Sequence, residues 1–179
     1  MHMYREAIKT LKKAMAIDPD NIKAQICIAN SYSSMRDFDN AEKAFNQCYK
    51  INPNVYQTYV CHAISYSDAN RIDMAISKYK EAIKIAPDAP NAYILLGNIY
   101  VDQKQYVEAL DCYKKASQIQ PEDAKTYTFI GNTYFMLNDL ENAIYTYRSA
   151  LLYDDKSMEN KLVYLEILQE YIKRKESVK

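Results

Sequence analysis

The sequence predicts an all-α protein made of antiparallel helix pairs, and three observations predict it. Prolines recur at Pro19, Pro53, Pro87 and Pro121, each 34 residues from the last, and Asp155 holds the next place. The same spacing governs columns of small and apolar residues: Ala7, Ala41, Ala75, Ala109 and Ala143; Ala14, Cys48, Ala82, Ala116 and Ala150; and Leu11, Phe45, Tyr79, Tyr113 and Tyr147. Only two glycines and five prolines occur in 179 residues. That is too few turn formers for an all-β chain and too few glycines for a phosphate-cradling loop. The two glycines, Gly97 and Gly131, are themselves 34 apart, with Ala29 and Ala63 in the equivalent earlier places.

Taken in chain order, residues 2–21 read as the second helix of an incomplete N-terminal repeat. Four repeats follow, 22–55, 56–89, 90–123 and 124–157. Their first helices, over 22–35, 56–69, 90–103 and 124–137, carry apolar or small residues at i, i+3, i+4 and i+7; in the third these are Tyr93, Leu96, Gly97 and Tyr100. Second helices follow over 37–50, 71–85, 105–119 and 139–152. The proline falls just after each, where its missing N–H costs nothing and further helix is blocked. Asp18, Asp20, Asn52, Asn54 and Asp88 beside the prolines suit the turn and the next N-cap. Small residues let the helix backbones approach, and the aromatic rings fill the space beside them. Residues 158–179 are expected to form a capping helix and tail, with Leu162, Leu165, Leu168 and Ile172 as the inner stripe and a polar outer face.

Lys+Arg and Asp+Glu each number 23, so the net charge is zero, which argues against nucleic-acid binding. No apolar run of spanning length and no basic-then-apolar leader occurs, so neither membrane insertion nor secretion is expected. Cys27, Cys48, Cys61 and Cys112 contain no C-x-x-C and have no histidine set to complete a metal site. They read as buried, reduced thiols in a cytoplasmic setting. His62 lies in an apolar column and reads as a packed core residue. Glu42, Glu81 and Glu108 fall on outward faces near lysines and read as solvated ion pairs. No catalytic residue, metal site or cofactor is expected.

A 34-residue helix–turn–helix unit with these columns resembles the tetratricopeptide repeat (TPR) family. The matching residues include Tyr93-Ile94-Leu95-Leu96-Gly97-Asn98-Ile99-Tyr100, then Ala109, Tyr113, Ala116 and Pro121, and the resemblance covers residues 2–157. Two departures stand out. The glycine that the family often places between its two helices is here Arg36, Asn70, Lys104 or Asn138, and the usual early tryptophan is Gln25, Tyr59, Tyr93 or Tyr127. The resemblance implies a right-handed superhelical solenoid with its first helices on the concave side, and a non-enzymatic protein-binding function.

On that wall, residues one turn apart that avoid the packing columns are expected to meet a partner. The first two helices supply Lys23, Ile26, Asn30 and Ser33, then Gln57, Val60, Ile64 and Ser67. The next two supply Asn91, Ile94, Asn98 and Val101, then Lys125, Thr128, Asn132 and Phe135. Apolar side chains in a concavity, interleaved with asparagines that both donate and accept, make a site for a peptide or helical segment. The carboxylate clamp of chaperone-tail-binding members is missing: where it wants basic residues and asparagine, this chain has Ile26, Cys61, Asn91 and Leu95. The alternatives are a structural subunit or fragment of a larger assembly, or the recruiting repeats of an enzyme whose catalytic domain lies elsewhere. Residues 2–16 carry more apolar positions than one neighbour covers, so self-association through them is also expected.

Overall fold

Every turn between the two helices of a pair is made by one residue in the left-handed region, and this sets the hairpin geometry throughout. The computed structural model describes residues 2–177. Among them lie ten helices and no strand: α1 (His2–Ile17), α2 (Ile22–Ser34), α3 (Phe38–Ile51), α4 (Tyr56–Asp68), α5 (Ile72–Ile85), α6 (Pro90–Asp102), α7 (Tyr106–Ile119), α8 (Ala124–Met136), α9 (Leu140–Tyr153) and α10 (Met158–Glu176). Between the helices of each pair, Arg36, Asn70, Lys104 and Asn138 have φ of 58–60°. The Arg36 N–H donates to the Ser33 carbonyl at 2.8 Å and the Asp37 N–H to the Tyr32 carbonyl at 2.9 Å. The same two bonds recur at Asn70, Lys104 and Asn138, the Schellman closure of a helix end. Glycine is the usual occupant of such a position, and asparagine tolerates it better than arginine or lysine.

Helix starts are capped less uniformly. Asn21 accepts from the Ala24 N–H at 3.0 Å, Asp123 from Thr126 at 3.2 Å and Ser157 from Asn160 at 3.2 Å. α4 and α6 begin at Val55 and Ala89 with no side-chain cap, and α6 instead places Pro90 in its first turn. The caps therefore fall one residue later than Asp20, Asn54 and Asp88. Asn52 takes the turn role, accepting from the Asn54 N–H at 2.9 Å.

The chain divides into two units, one ending at Pro87 and the other beginning at Asp88. In the first, Ile8 of α1 packs with Ile26, Ile28 and Ala29 of α2, Ala41, Phe45 and Cys48 of α3, and Cys61 of α4. Further along, His62 is buried, stacked between Phe45 at 4.5 Å and Tyr66 at 4.2 Å. In the second, Ala109, Leu110 and Tyr113 of α7 pack with Ile130 of α8, and Leu140, Ala143 and Tyr147 of α9 with Ile167 of α10. Ala75, Ala109 and Ala143 are fully buried, as a small residue at a helix crossing must be. At Gly97 and Gly131 the spine rings lie so close that an added Cβ would stand 2.6 Å from Tyr113 and 2.8 Å from Tyr147.

Two expectations are corrected. The inner stripe of α10 is Asn160, Val163, Tyr164, Ile167 and Tyr171, whereas Leu162, Leu165 and Ile172 face outward and Leu168 is half-buried. The helix is apolar on more than one face, so its spacing alone admits either stripe. The thiols are not uniformly buried either: Cys48 and Cys61 are, Cys112 is half-buried, and Cys27 on α2 is exposed. Residues 178–179 of the expected tail lie outside the described residues.

Candidate partner-binding surface

In the second unit, α6 and α8 enclose a hollow of about 620 Å³ lined by Asn98, Val101, Asp102, Tyr113, Phe129, Asn132, Thr133 and Met136. Three of the expected wall residues, Asn98, Val101 and Asn132, are brought together here. Phe135, Asn91 and Lys125 do not line it, and Ile94 is half-buried against the Tyr113 cluster. Met136, Phe129 and Asp102 are lining residues that the wall pattern missed. Exposed Met136, one turn on from Asn132, could have been found from helical spacing alone.

The asparagines are not free carboxamides. The Tyr113 hydroxyl donates to Asn98 Oδ1 at 2.7 Å, and the Tyr147 hydroxyl donates to Asn132 Oδ1. Each bond orients its amide so that the Nδ2 protons remain for another acceptor. Burial pushes the Tyr113 hydroxyl well above the usual tyrosine range, and holds Tyr147 at about 12, so both stay protonated donors. Thr128 is committed too, its one hydroxyl proton shared between the Ala124 carbonyl at 3.0 Å and Asn160 Oδ1 at 3.1 Å.

The first unit offers less. A small hollow of about 160 Å³ is lined by Asn30, Ser33, Ser34, Cys61, Ile64, Ser65 and Asp68. Asn30 Nδ2 donates to the Cys61 thiol at 3.5 Å and Gln57 Nε2 at 3.2 Å, while the Ser33 hydroxyl donates to the Ser65 hydroxyl at 2.7 Å. Ile26 and Val60, expected on the exposed wall, are 7 % and 6 % exposed and belong to the interior. Ile26 packs in the cluster that holds Cys61 of the neighbouring first helix, which is why an apolar residue is needed there. Of the apolar wall residues in this unit, Ile64 is the exposed one; of the polar ones, Lys23 is exposed and Ser67 is half-buried.

Elsewhere the polar groups are structural. The Tyr49 hydroxyl and His62 Nδ1 share a hydrogen bond at 2.9 Å, and burial, with Lys78 nearby, drives the imidazole pKa down to about 3. A neutral, ring-stacked histidine of this kind is core, not ligand. Glu81 pairs with Lys78 at 3.2 Å, and Glu42 pairs with Arg71 at 3.0 Å rather than with the adjacent lysine. Among the described residues no helix is long and apolar enough to cross a membrane, and no group of three metal-binding side chains is found.

These hairpins, columns and turns are those of a known class. One model of the TPR repeat matches residues 65–103 and 97–138, and a second, of the tetratricopeptide repeat, matches residues 23–55 and 124–157. The chain belongs to the tetratricopeptide repeat family, whose repeats serve as protein–protein interaction scaffolds. Its fold is shared by the crystal structure of MamA, at a TM-score of 0.74 and 20% identity over 87% of this chain and 91% of that one. It is also similar to TTC0263, a thermophilic TPR protein of Thermus thermophilus (TM-score 0.68, 17% identity, 93% and 91% covered). A third likeness is to YrrB, described as a TPR protein with an unusual peptide-binding site (TM-score 0.69, 15% identity, 90% and 84% covered). No curated relative matches the sequence.

Proposed function

We propose that this chain is a non-enzymatic scaffold that holds a peptide or helical segment of a partner protein against its first helices, with the repeats 22–55, 56–89, 90–123 and 124–157 as its units. The observation that carries this reading is the hollow between α6 and α8, where Val101, Phe129 and Met136 surround a space flanked by Asn98 and Asn132. An apolar partner side chain fills the space, and the two Nδ2 groups donate to main-chain carbonyls on either side of it. Asp102 at the same site favours a basic residue in the partner, opposite in sign to what a carboxylate clamp selects. The peptide-binding site described for YrrB, a protein of similar fold, lends support. A cytoplasmic setting suits the cysteines, because thiols stay reduced there. Self-association through residues 2–16 is a second reading, favoured by exposed Met3 and Tyr4 on α1.

The test is selection of binders from a random peptide library, followed by fluorescence anisotropy with Met136→Asp, a change at an exposed position. Selected peptides should carry an apolar residue beside a basic one and should bind the variant at least about tenfold more weakly, the loss of one well-filled apolar contact. Peptides that bind parent and variant alike would place the site elsewhere.

A further inference from the structure

Met15, Gln25 and Ala44 stand one 34-residue step before Tyr49, Tyr59 and Lys78, and the smaller side chains leave open a place that the next repeat fills. In that next repeat the three larger side chains close on one another. The Tyr49 and Tyr59 rings lie 4.8 Å apart, Lys78 Nζ sits 5.1 Å and 5.5 Å from their centres, and Glu81 pairs with the ammonium at 3.2 Å. Tyr93 and Tyr127 hold the place of Tyr59 in the later repeats. Where Met15, Gln25 and Ala44 stand instead, a hollow of about 280 Å³ lies between α1 and α3, with Gln25, Ile28 and Tyr32 of α2 in its lining. The Gln25 carboxamide is laid against the α3 backbone, its Nε2 donating to the Ala44 carbonyl at 3.1 Å.

The rim of this hollow is basic. Lys12 of α1 and Lys43 of α3 both line it and are both exposed. Lys12 Nζ donates to the Tyr32 hydroxyl at 3.4 Å, and among the described residues neither lysine pairs with an acid. Gln47 takes the place of Glu81, so a carboxamide stands where the next repeat has a carboxylate. No acid is in the lining. Asp39 and Glu42 of α3 turn to Arg71, at 4.0 Å and 3.0 Å, and Asp37 accepts from Asn40 Nδ2 at 2.8 Å. α2 contains no acid, and Glu6, Asp18 and Asp20 lie outside the lining.

We propose that this hollow takes an aromatic side chain of a partner peptide with carboxylates beside it. The ring enters where Tyr59 lies one repeat on, against the apolar floor of Ile28 and the soft thioether of Met15, and Lys12 and Lys43 hold the acids. The site is separate from the hollow between α6 and α8 and selects the opposite charge, so it does not rest on that reading.

A nitrogen-15 correlation titration of the whole chain tests it, the probe being a pentapeptide with a central phenylalanine between paired aspartates. Amide shifts should centre on Gln25 and Ala44 and should weaken with added salt. Replacing the phenylalanine by alanine, or the aspartates by lysines, should weaken binding at least about tenfold. Gln25→Tyr, which restores the ring of the other repeats, should block the peptide while leaving the unfolding temperature unchanged or raised. Lys43→Glu, at an exposed position, should weaken binding at least about tenfold, whereas Met136→Asp should bind like the parent. Loss of binding in Met136→Asp would put the peptide in the α6–α8 hollow and overturn the assignment. Equal binding of the alanine-centred peptide would leave only charge attraction, and equal binding by Gln25→Tyr or Lys43→Glu would place the peptide elsewhere; either overturns the proposal, as does the absence of shifts at millimolar peptide.

Discussion

The Tyr113 hydroxyl reaches across its helix pair to Asn98 Oδ1 at 2.7 Å, joining the packed spine of the second unit to the hollow between α6 and α8. One bond thus does two things: it satisfies a buried phenol and it aims an amide. Asn98→Ala should leave the hydroxyl unsatisfied and cost about 1–2 kcal/mol in chemical denaturation. Tyr113→Phe should cost about as much or less, yet should also weaken peptide binding, because the Asn98 amide loses its orientation. Equal peptide affinity in parent and Tyr113→Phe would separate the spine from the site.

The turn residues provide a stabilising change. Lys104 holds φ of 59°, a conformation that costs an L-residue about 1 kcal/mol relative to glycine. Lys104→Gly should raise stability by about 0.5–1 kcal/mol by thermal or urea unfolding, the gain reduced by the greater freedom of glycine in the unfolded chain. At Asn138 the same exchange should gain less, because asparagine already tolerates the conformation and its Oδ1 accepts from Arg174 at 2.7 Å.

His62 makes the fold sensitive to acid. Its pKa falls from 6.5 to about 3 on folding, so between these values the unfolded chain binds the proton and the folded chain does not. The stabilisation is therefore complete above about pH 6.5 and is lost progressively as pH falls toward 3. His62→Leu, which installs the residue type found at Leu96 in the same column, should flatten the part of the stability–pH curve below pH 6.5 that the imidazole contributes. Unfolding curves at a series of pH values, parent against variant, measure the difference directly.

Thiol accessibility should separate the cysteines. Cys27 is exposed, whereas Cys48 is fully buried and its pKa is pushed up to about 12, chiefly by desolvation. An aromatic disulfide reagent should modify Cys27 rapidly in the native protein and reach Cys48 and Cys61 only after unfolding. Mass spectrometry of the modified peptides identifies which sulfur reacted.

Where the chain repeats, its sequence reveals the packing, because each 34-residue column samples the same environment several times. Ala75, Ala109 and Ala143 are legible as crossings, and Arg36, Asn70, Lys104 and Asn138 as turn positions, for that reason. Legibility ends where an environment occurs once. The buried stripe of α10 runs through Asn160 and Ile167, and a helix with Leu162, Val163, Tyr164 and Leu165 in succession has no single apolar face for periodicity to choose. Ile26 is legible as apolar but not as buried, since its cover includes a neighbouring first helix as well as its own pair. The candidate surface is legible only in part: the columns mark Asn98, Val101 and Asn132, but Phe129 and Met136 join them because α6 and α8 line one hollow together.

The buried tyrosine spine also turns the protein into an optical reporter of itself. There are 18 tyrosines and no tryptophan, so near-ultraviolet absorbance is a tyrosine signal throughout. Phenols in water ionise near about pH 10, whereas burial holds Tyr79 and Tyr147 protonated up to about 12. An alkaline titration followed by phenolate absorbance therefore reads the surface in its first wave and the spine in its second. Because a proton that leaves more readily from the unfolded chain draws the equilibrium toward unfolding, the second wave coincides with loss of helix.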